Sequence, residues 1–178
     1  GGDELCKQVF TYVIDRFKSW YRDENIDPEV FASVAALGLS NPFDINARVQ
    51  AVHQFTLLPE AAALAAANKR VSNILAKQLS DKTPEVVSTD LLQDAAEITL
   101  ATEIDALAKL VAPLLEQRDY NTVLKKLAML RGPIDQFFDD VMVMAEDQAV
   151  RENRLALLHS LRKLFIGVAD ISQLVPAK

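Results

Sequence analysis

The sequence predicts an all-α protein, a helical bundle of about seven helices, and three observations carry that prediction. Hydrophobic residues fill 50% of the 178 positions and are dominated by Ala, Leu and Val, enough to bury a sizeable core. Glycine occurs only 5 times, which leaves few positions for the tight turns of an all-β fold. Apolar residues recur at three- and four-residue intervals through one segment after another, with proline and asparagine between them.

The first helix is expected over Glu4 to Glu24, where Leu5, Val9, Val13, Phe17 and Trp20 or Tyr21 line one face and Asn25 offers a stop. Asp27-Pro28-Glu29 then supplies a cap acceptor, a proline for the first turn and an acid near the positive dipole end; Gly38 closes that short helix. After Ser40-Asn41-Pro42, the residues Ile45, Val49, Val52 and Phe55 form a third stripe, which Leu58-Pro59 ends. A fourth helix runs from Pro59 to about Leu79, with Leu64, Ala67, Val71, Ile74 and Leu75 on a narrow arc and many alanines permitting close approach. Ser80 to Thr89 is polar, contains Pro84 and reads as the one substantial connection, with room for a hinge. The next helix is expected from Asp90 or Asp94 to Arg118, with Pro113 set to kink its last turns. Asn121 is expected to cap a helix that reaches Arg131, where Gly132-Pro133 breaks it; Pro133 starts a further segment through Phe137, Phe138 and Val141. A final helix from about Asp147 to Leu174 carries Val150, Leu157, Leu161, Phe165, Val168 and Ile171. No repeat of fixed period emerges.

Cys6 is the only cysteine, so no internal disulfide forms, which suits a reducing compartment and a cytoplasmic location. The longest apolar run, Ala61 to Ala67, falls far short of the roughly 18 residues that cross a bilayer, so no membrane is expected as a partner. The opening Gly1-Gly2 reads as a tag scar on a fragment of a longer protein. A net charge of -6 opposes non-specific binding to DNA or other phosphate backbones. That acidity is concentrated: the net charge is -1 over residues 1 to 80, -6 over 81 to 120 and +1 over 121 to 178, so the outer thirds can still present basic patches.

The residues from which active sites are built are scarce. His53 lies beside an apolar stripe and His159 on a Leu-rich helix, neither with a metal-ligand partner at useful spacing, so core-edge or solvated imidazoles are expected. Cys6 has only Lys7 as a basic neighbour. The carboxylate pairs Asp139-Asp140 and Glu146-Asp147 read as exposed helix faces and helix-start charges rather than acid-base catalysts. No glycine-rich phosphate loop occurs. The chain is therefore expected to hold no catalytic residue, no metal and no cofactor of its own.

One segment stands out. Between Ala66 and Lys77, Lys69, Asn73 and Lys77 fall at four-residue intervals, with Arg70 adjacent, on the face opposite Leu64 and Val71. Such a strip suits an RNA loop, whose phosphates take Lys and Arg and whose unstacked bases offer edges to Asn and faces to Arg. Spacing alone favours a solvated outer face over an RNA-binding one. Asn68 falls near the apolar stripe, where a buried amide needs hydrogen bonds, so a packing role is expected for it.

The stretch Ala65-Ala66-Ala67-Asn68-Lys69-Arg70-Val71-Ser72-Asn73-Ile74-Leu75-Ala76-Lys77 resembles a motif near the C-terminus of the beta subunit of bacterial glycyl-tRNA synthetase. Flanking stretches are similar to the same family: Tyr12 to Tyr21, Phe43 to Val52, Phe137 to Met144, Arg151-Glu152-Asn153-Arg154-Leu155 and Val168 to Ser172. Together they span nearly the whole chain. The resemblance implies an anticodon-binding helical bundle of the DALR type over 41 to 178, related to that of arginyl-tRNA synthetase, with a short helical segment over 3 to 40 before it. No clean Asp-Ala-Leu-Arg tetrad occurs, since Ala108 follows Asp105-Ala106-Leu107.

The resemblance further implies that the alpha subunit, in a heterotetramer, holds the class II site for glycine, ATP and Mg. The beta subunit then recognises glycine tRNA within a ligase that attaches glycine to it for protein synthesis. The residues expected to touch tRNA are Lys69, Arg70, Asn73 and Lys77, followed by Arg48 on the third helix and Arg151 and Arg154 on the last, Arg154 having a structural ion pair as its alternative. A different class of function remains open, a non-catalytic module that binds the alpha subunit or a second beta subunit through its helical faces, for which the acidic stretch Asp81 to Tyr120 is suited.

Overall fold

The computed structural model describes residues 1–78 and 86–175. Among these residues stand eight α-helices: α1 (Gly2–Asp23), α2 (Pro28–Ala35), α3 (Pro42–Thr56), α4 (Ala61–Lys77), α5 (Ala95–Glu116), α6 (Tyr120–Leu127), α7 (Arg131–Asp140) and α8 (Gln148–Ile166). Three short 3-10 turns, Thr89–Leu91, Ala128–Leu130 and Ile171–Leu174, complete the set, and the described residues contain no strand.

Several boundaries follow directly from local chemistry. The Asn41 side chain accepts from the backbone N–H groups of Phe43 and Asp44 at 3.0 and 3.2 Å, and Pro42 occupies the first turn of α3, where its missing N–H costs nothing. Such a cap contributes about 1 kcal/mol. Asn25 after α1 and Gly38 after α2 both take left-handed backbone, at φ 60° and 66°, a conformation open to an amide residue and to glycine. Asp147 caps α8 by accepting from the N–H of Val150 at 3.0 Å.

Three expectations are corrected. The cap of α6 is Asp119, which accepts from Thr122 N–H at 3.3 Å; Asn121 already lies inside the helix. Left-handed backbone at Arg118 turns the chain there, one residue before that cap. Gly132-Pro133 does not break a helix: α6 ends at Leu127, and Gly132 and Pro133 fall in the first turn of α7, where a proline lacks nothing because those N–H groups have no intrahelical partner. The last helix stops at Ile166, and the chain then bends so that Val168 and Ile171 are buried from the Ile171–Leu174 turn and its approach rather than from one continuous helix. Helix α5 passes through Pro113 to Glu116. The connection expected at Ser80 to Thr89 lies, through residue 85, outside the described residues. Where the chain resumes, the buried Asn153 amide donates to Ser88 C=O at 3.0 Å and accepts from its N–H at 2.7 Å, pinning the segment to α8.

Helices α3 to α8 share one core. Phe55, Leu64, Leu100, Leu124, Leu127, Phe137, Leu158 and Phe165 are fully enclosed, each large side chain contributing about 1.5–3 kcal/mol by leaving water. Within it α3 packs on α6, α5 on α6 and α7, and α8 on α4 and α5. The 3-10 turn Ile171–Leu174 wedges against both α4 and α2, with Asp170 N–H donating to Ser33 C=O at 2.8 Å. Helix α1 is different. Of its residues only Tyr21 is buried, while Leu5, Val9, Tyr12 and Trp20 remain in solvent. Tyr21 anchors the arm by donating to Asn46 Oδ1 at 2.9 Å, and burial together with the Glu24 charge pushes its phenol up to about 12.

Candidate nucleic-acid interface

Helix α4 owes its orientation to one stripe. Ala61, Leu64, Ala65, Asn68 and Val71 are buried, so the residues half a turn away must face outward. Asn68 is 4% exposed and donates from Nδ2 to the Leu64 carbonyl at 2.9 Å, which satisfies the amide within its own helix. Lys69, Arg70, Asn73 and Lys77 are all exposed. No carboxylate among the described residues lies within 4.0 Å of Lys69, Arg70 or Lys77, a state they share with Lys125 and Lys163 among others, whereas Lys18, Arg48, Lys109, Arg118, Arg131 and Arg154 are paired.

The neighbours of α4 extend this face on both sides. From α7, the Phe138 ring lies beneath Arg70, whose guanidinium carbon is 4.2 Å from the ring centroid. From α8, Arg162 reaches across and donates from Nε to Ser72 Oγ at 3.3 Å. Neither Phe138 nor Arg162 carries a signal in its own helix that marks it for this place. Both join the face only because α7 and α8 pack on α4, a relation that helical spacing does not encode.

The other three arginines expected to bind tRNA are placed otherwise. Arg48 is taken up by the scaffold: Nε meets Asp44 Oδ2 at 3.0 Å, one terminal nitrogen donates to the carbonyls of Gly167 and Val168 at 2.8 and 2.9 Å, and the guanidinium carbon sits 4.4 Å from the Tyr120 ring centroid. Its side chain is only 13% accessible. Arg154 is 5% exposed and takes the structural alternative, meeting Glu97 Oε1 at 3.2 Å and Asp94 Oδ2 at 2.8 Å and donating to the Met142 carbonyl at 2.8 Å. Arg151, half-buried, donates to the Ala145 carbonyl at 2.9 Å and so closes the connection between α7 and α8. Arg48 and Arg154 are therefore withdrawn from the phosphate-facing set, because both guanidinium groups are largely enclosed and their donors are committed to acceptors within the fold.

The Arg48 cluster has a defined titration. Burial raises the Asp44 carboxyl, but hydrogen bonds from Tyr120 and Arg48 and the charges of Arg48 and Arg118 outweigh it, leaving Asp44 below the usual value of 3.8. Tyr120, whose hydroxyl donates to Asp44, is held above 10.0 by burial and by that bond. The pair locks α3 to the start of α6.

A hollow of about 730 Å³ between α5 and α8 offers no competing chemistry. Around it Asp105 pairs with Lys109 at 2.7 Å, and the hydroxyls of Thr102 and Ser160 bond carbonyls of their own helices, those of Ile98 and Ala156. His159 lines it without a partnering His, Cys, Asp or Glu, and no three such side chains converge to hold a metal among the described residues. None of the described helices is long and apolar enough to cross a membrane.

An all-helical bundle that presents cations on one rigid helix matches a known class. Residues 64–170 fit the family model of the DALR anticodon binding domain, and the chain belongs to that family. It is 55% identical over 175 residues to the glycine-tRNA ligase beta subunit of Marinobacter nauticus, covering 98% of this chain and 25% of that protein. The corresponding beta subunits of Chromohalobacter salexigens and Pectobacterium atrosepticum are 54% and 52% identical over 170 and 167 residues, covering 96% and 94% of this chain and 25% and 24% of theirs. The chain thus spans about a quarter of the length of the curated relatives it matches.

Proposed function

We propose that the outward face of α4 binds the anticodon arm of glycine tRNA. The observation that carries this reading is the row of Lys69, Arg70, Asn73 and Lys77, exposed on a helix whose opposite side is locked into the core, with no carboxylate among the described residues to neutralise its cations. Lys69 and Lys77 take phosphates, Asn73 offers its amide to base edges, and Arg162 adds a further cation from α8. Arg151 is a lesser candidate, with part of its hydrogen-bonding capacity spent on the Ala145 carbonyl. Arg48 and Arg154 act one step behind, by holding the scaffold that carries the face.

In this reading the chain is a non-catalytic part of a ligase that attaches glycine to its tRNA in the cytoplasm. Glycine, ATP and Mg belong to an alpha subunit, with which the beta subunit forms a heterotetramer. Membership of the anticodon-binding family and the beta-subunit names of the relatives support it. The test is tRNA binding by the intact heteromer with Lys69, Arg70 and Lys77 changed to Ala. Affinity should fall, and the logarithmic salt dependence should become shallower by about 0.7–0.9 for each phosphate that is no longer neutralised. Unchanged affinity with an unchanged slope rejects the assignment.

A second reading is favoured by α1, whose Leu5, Val9, Tyr12 and Trp20 are exposed along one helix. A protein surface of the assembled enzyme covers that arm. Capture of the alpha subunit or of a second beta subunit should then survive competitor tRNA and be lost when Leu5 and Val9 are changed to Asp.

A further inference from the structure

We infer that Arg70 and Phe138 together form a stacking shelf for one unstacked base of the bound loop, a role separate from phosphate binding. The inference rests on the RNA reading above and adds to it both a residue from another helix and a mode of contact.

Three observations support it. The guanidinium carbon of Arg70 lies 4.2 Å from the centroid of the Phe138 ring, within the range of a cation held over an aromatic face. Phe138 is itself fixed, half-buried, with its ring centroid 5.5 Å from that of Phe137 at 73°, and Phe137 is enclosed in the core. The base of the shelf is therefore rigid. Arg70 is exposed and unpaired among the described residues, which leaves the side away from the ring open to solvent. A planar guanidinium held in this way loses little rotational freedom when a base settles on it, and every base has a face to offer.

Local charge assigns a base rather than a phosphate to this end of the face. Asp139 follows Phe138 directly and is exposed, whereas Asp135, one turn earlier, is paired with Arg131 at 3.7 Å and Asp140 accepts from Gln136. A phosphate approaching Arg70 from the α7 side comes towards the Asp139 charge, beyond ion-pair distance of Arg70 itself, whereas a neutral base is indifferent to it. On the other side of α4, Arg162 reaches Ser72, one turn from Lys69, and there two cations favour phosphate. The face is thus divided across its width: backbone towards α8, base towards α7, with Asn73 one turn beyond Arg70 on the exposed side between them.

The test uses the intact heteromer and glycine tRNA transcripts in which a fluorescent aminopurine replaces one anticodon-loop base at a time. With the unsubstituted protein, emission at one position should fall on binding, as stacking quenches it. Arg70→Lys keeps the charge and loses the plane; Phe138→Leu keeps apolar bulk and loses the ring. Each should raise Kd roughly 5- to 100-fold, restore emission at that position and leave the salt slope unchanged. Lys69→Ala and Lys77→Ala should do the reverse, giving a shallower slope with quenching retained at saturation. Arg70→Lys alters only an exposed position, so its thermal midpoint serves as the control for folding. If Arg70→Lys and Phe138→Leu bind and quench like the unsubstituted protein while the lysine variants weaken binding, the shelf is overturned and the RNA reading stands. If none of the four alters binding, both fall together.

Discussion

Arginine plays two opposite parts in this molecule. At 5% exposure Arg154 is enclosed by Glu97, Asp94 and the Met142 carbonyl, while Arg70, on α4, stands in solvent with only an aromatic ring beneath it. Both fall in stretches that look alike in the sequence, basic positions on amphipathic helices. What separates them is the partner across the fold. Glu97 is 57 residues from Arg154 along the chain and is itself fully buried; it accepts from the N–H groups of Gln93 and Asp94 at 3.0 and 3.3 Å, and the guanidinium is its one counter-charge among the described residues. No described carboxylate stands within ion-pair reach of Arg70. A cation with committed donors stabilises; a cation with idle ones is available to a ligand.

The sharpest way to break this comparison is Arg154→Ala. It strands Glu97 in the core without its counter-charge and should cost about 3–5 kcal/mol in urea unfolding, because an uncompensated buried charge is far more expensive than the pair was worth. Replacing both partners, as Arg154→Met with Glu97→Gln, should recover part of the loss; a cost under about 1 kcal/mol for Arg154→Ala alone would mean that the pair is not buried in solution.

A smaller effect is expected from pH at the Arg48 cluster. The folded Asp44 carboxyl lies below 3.8, so its contribution is fully present above the unfolded value and is lost as pH falls through the lower folded value. Tyr120 has the opposite sense: raised above 10.0, it contributes below that pH and its contribution is lost as pH rises through the folded value. Unfolding free energies measured across the acid limb should lose this part of their pH dependence in Asp44→Asn, and those across the alkaline limb in Tyr120→Phe. An unaltered acid limb in Asp44→Asn would separate Asp44 from the acid response.

The smallest effect on folding belongs to the α4 face. Lys69→Ala and Lys77→Ala should each change stability by no more than about 0.5 kcal/mol in urea unfolding, as expected for exposed positions without partners. A larger loss in either would show that the lysine has structural work and weaken its claim to be kept for a ligand.

Much of the fold was legible because it is written locally. The Asn41-Pro42 start of α3, the stops at Asn25 and Gly38 and the Asp147 cap of α8 each rest on a side chain acting within a few residues of itself. The errors share a cause. Gly132-Pro133 looks like a breaker until it is known that a 3-10 turn has already ended α6 and that the proline falls in a first turn. Val168 and Ile171 continue the apolar period of α8, yet they are buried after a bend, since burial and not helicity is what an apolar period records. The site divides in the same way. The row Lys69, Asn73 and Lys77 follows from one helix and its spacing. The fates of Arg48 and Arg154, and the arrival of Phe138 and Arg162 beside α4, depend on residues brought from 57 to 120 positions away.

The short turn Ile171–Leu174 has a consequence for the whole cationic surface. Seated between α4 and α2, it is the buttress behind the helix that displays the lysines. Proteolysis just after Asp170 would remove no residue from the cationic row, yet α4 would lose the abutment that fixes its tilt. The protein's hold on a polyanion can accordingly be dismantled from its rear without altering a single charge at the front.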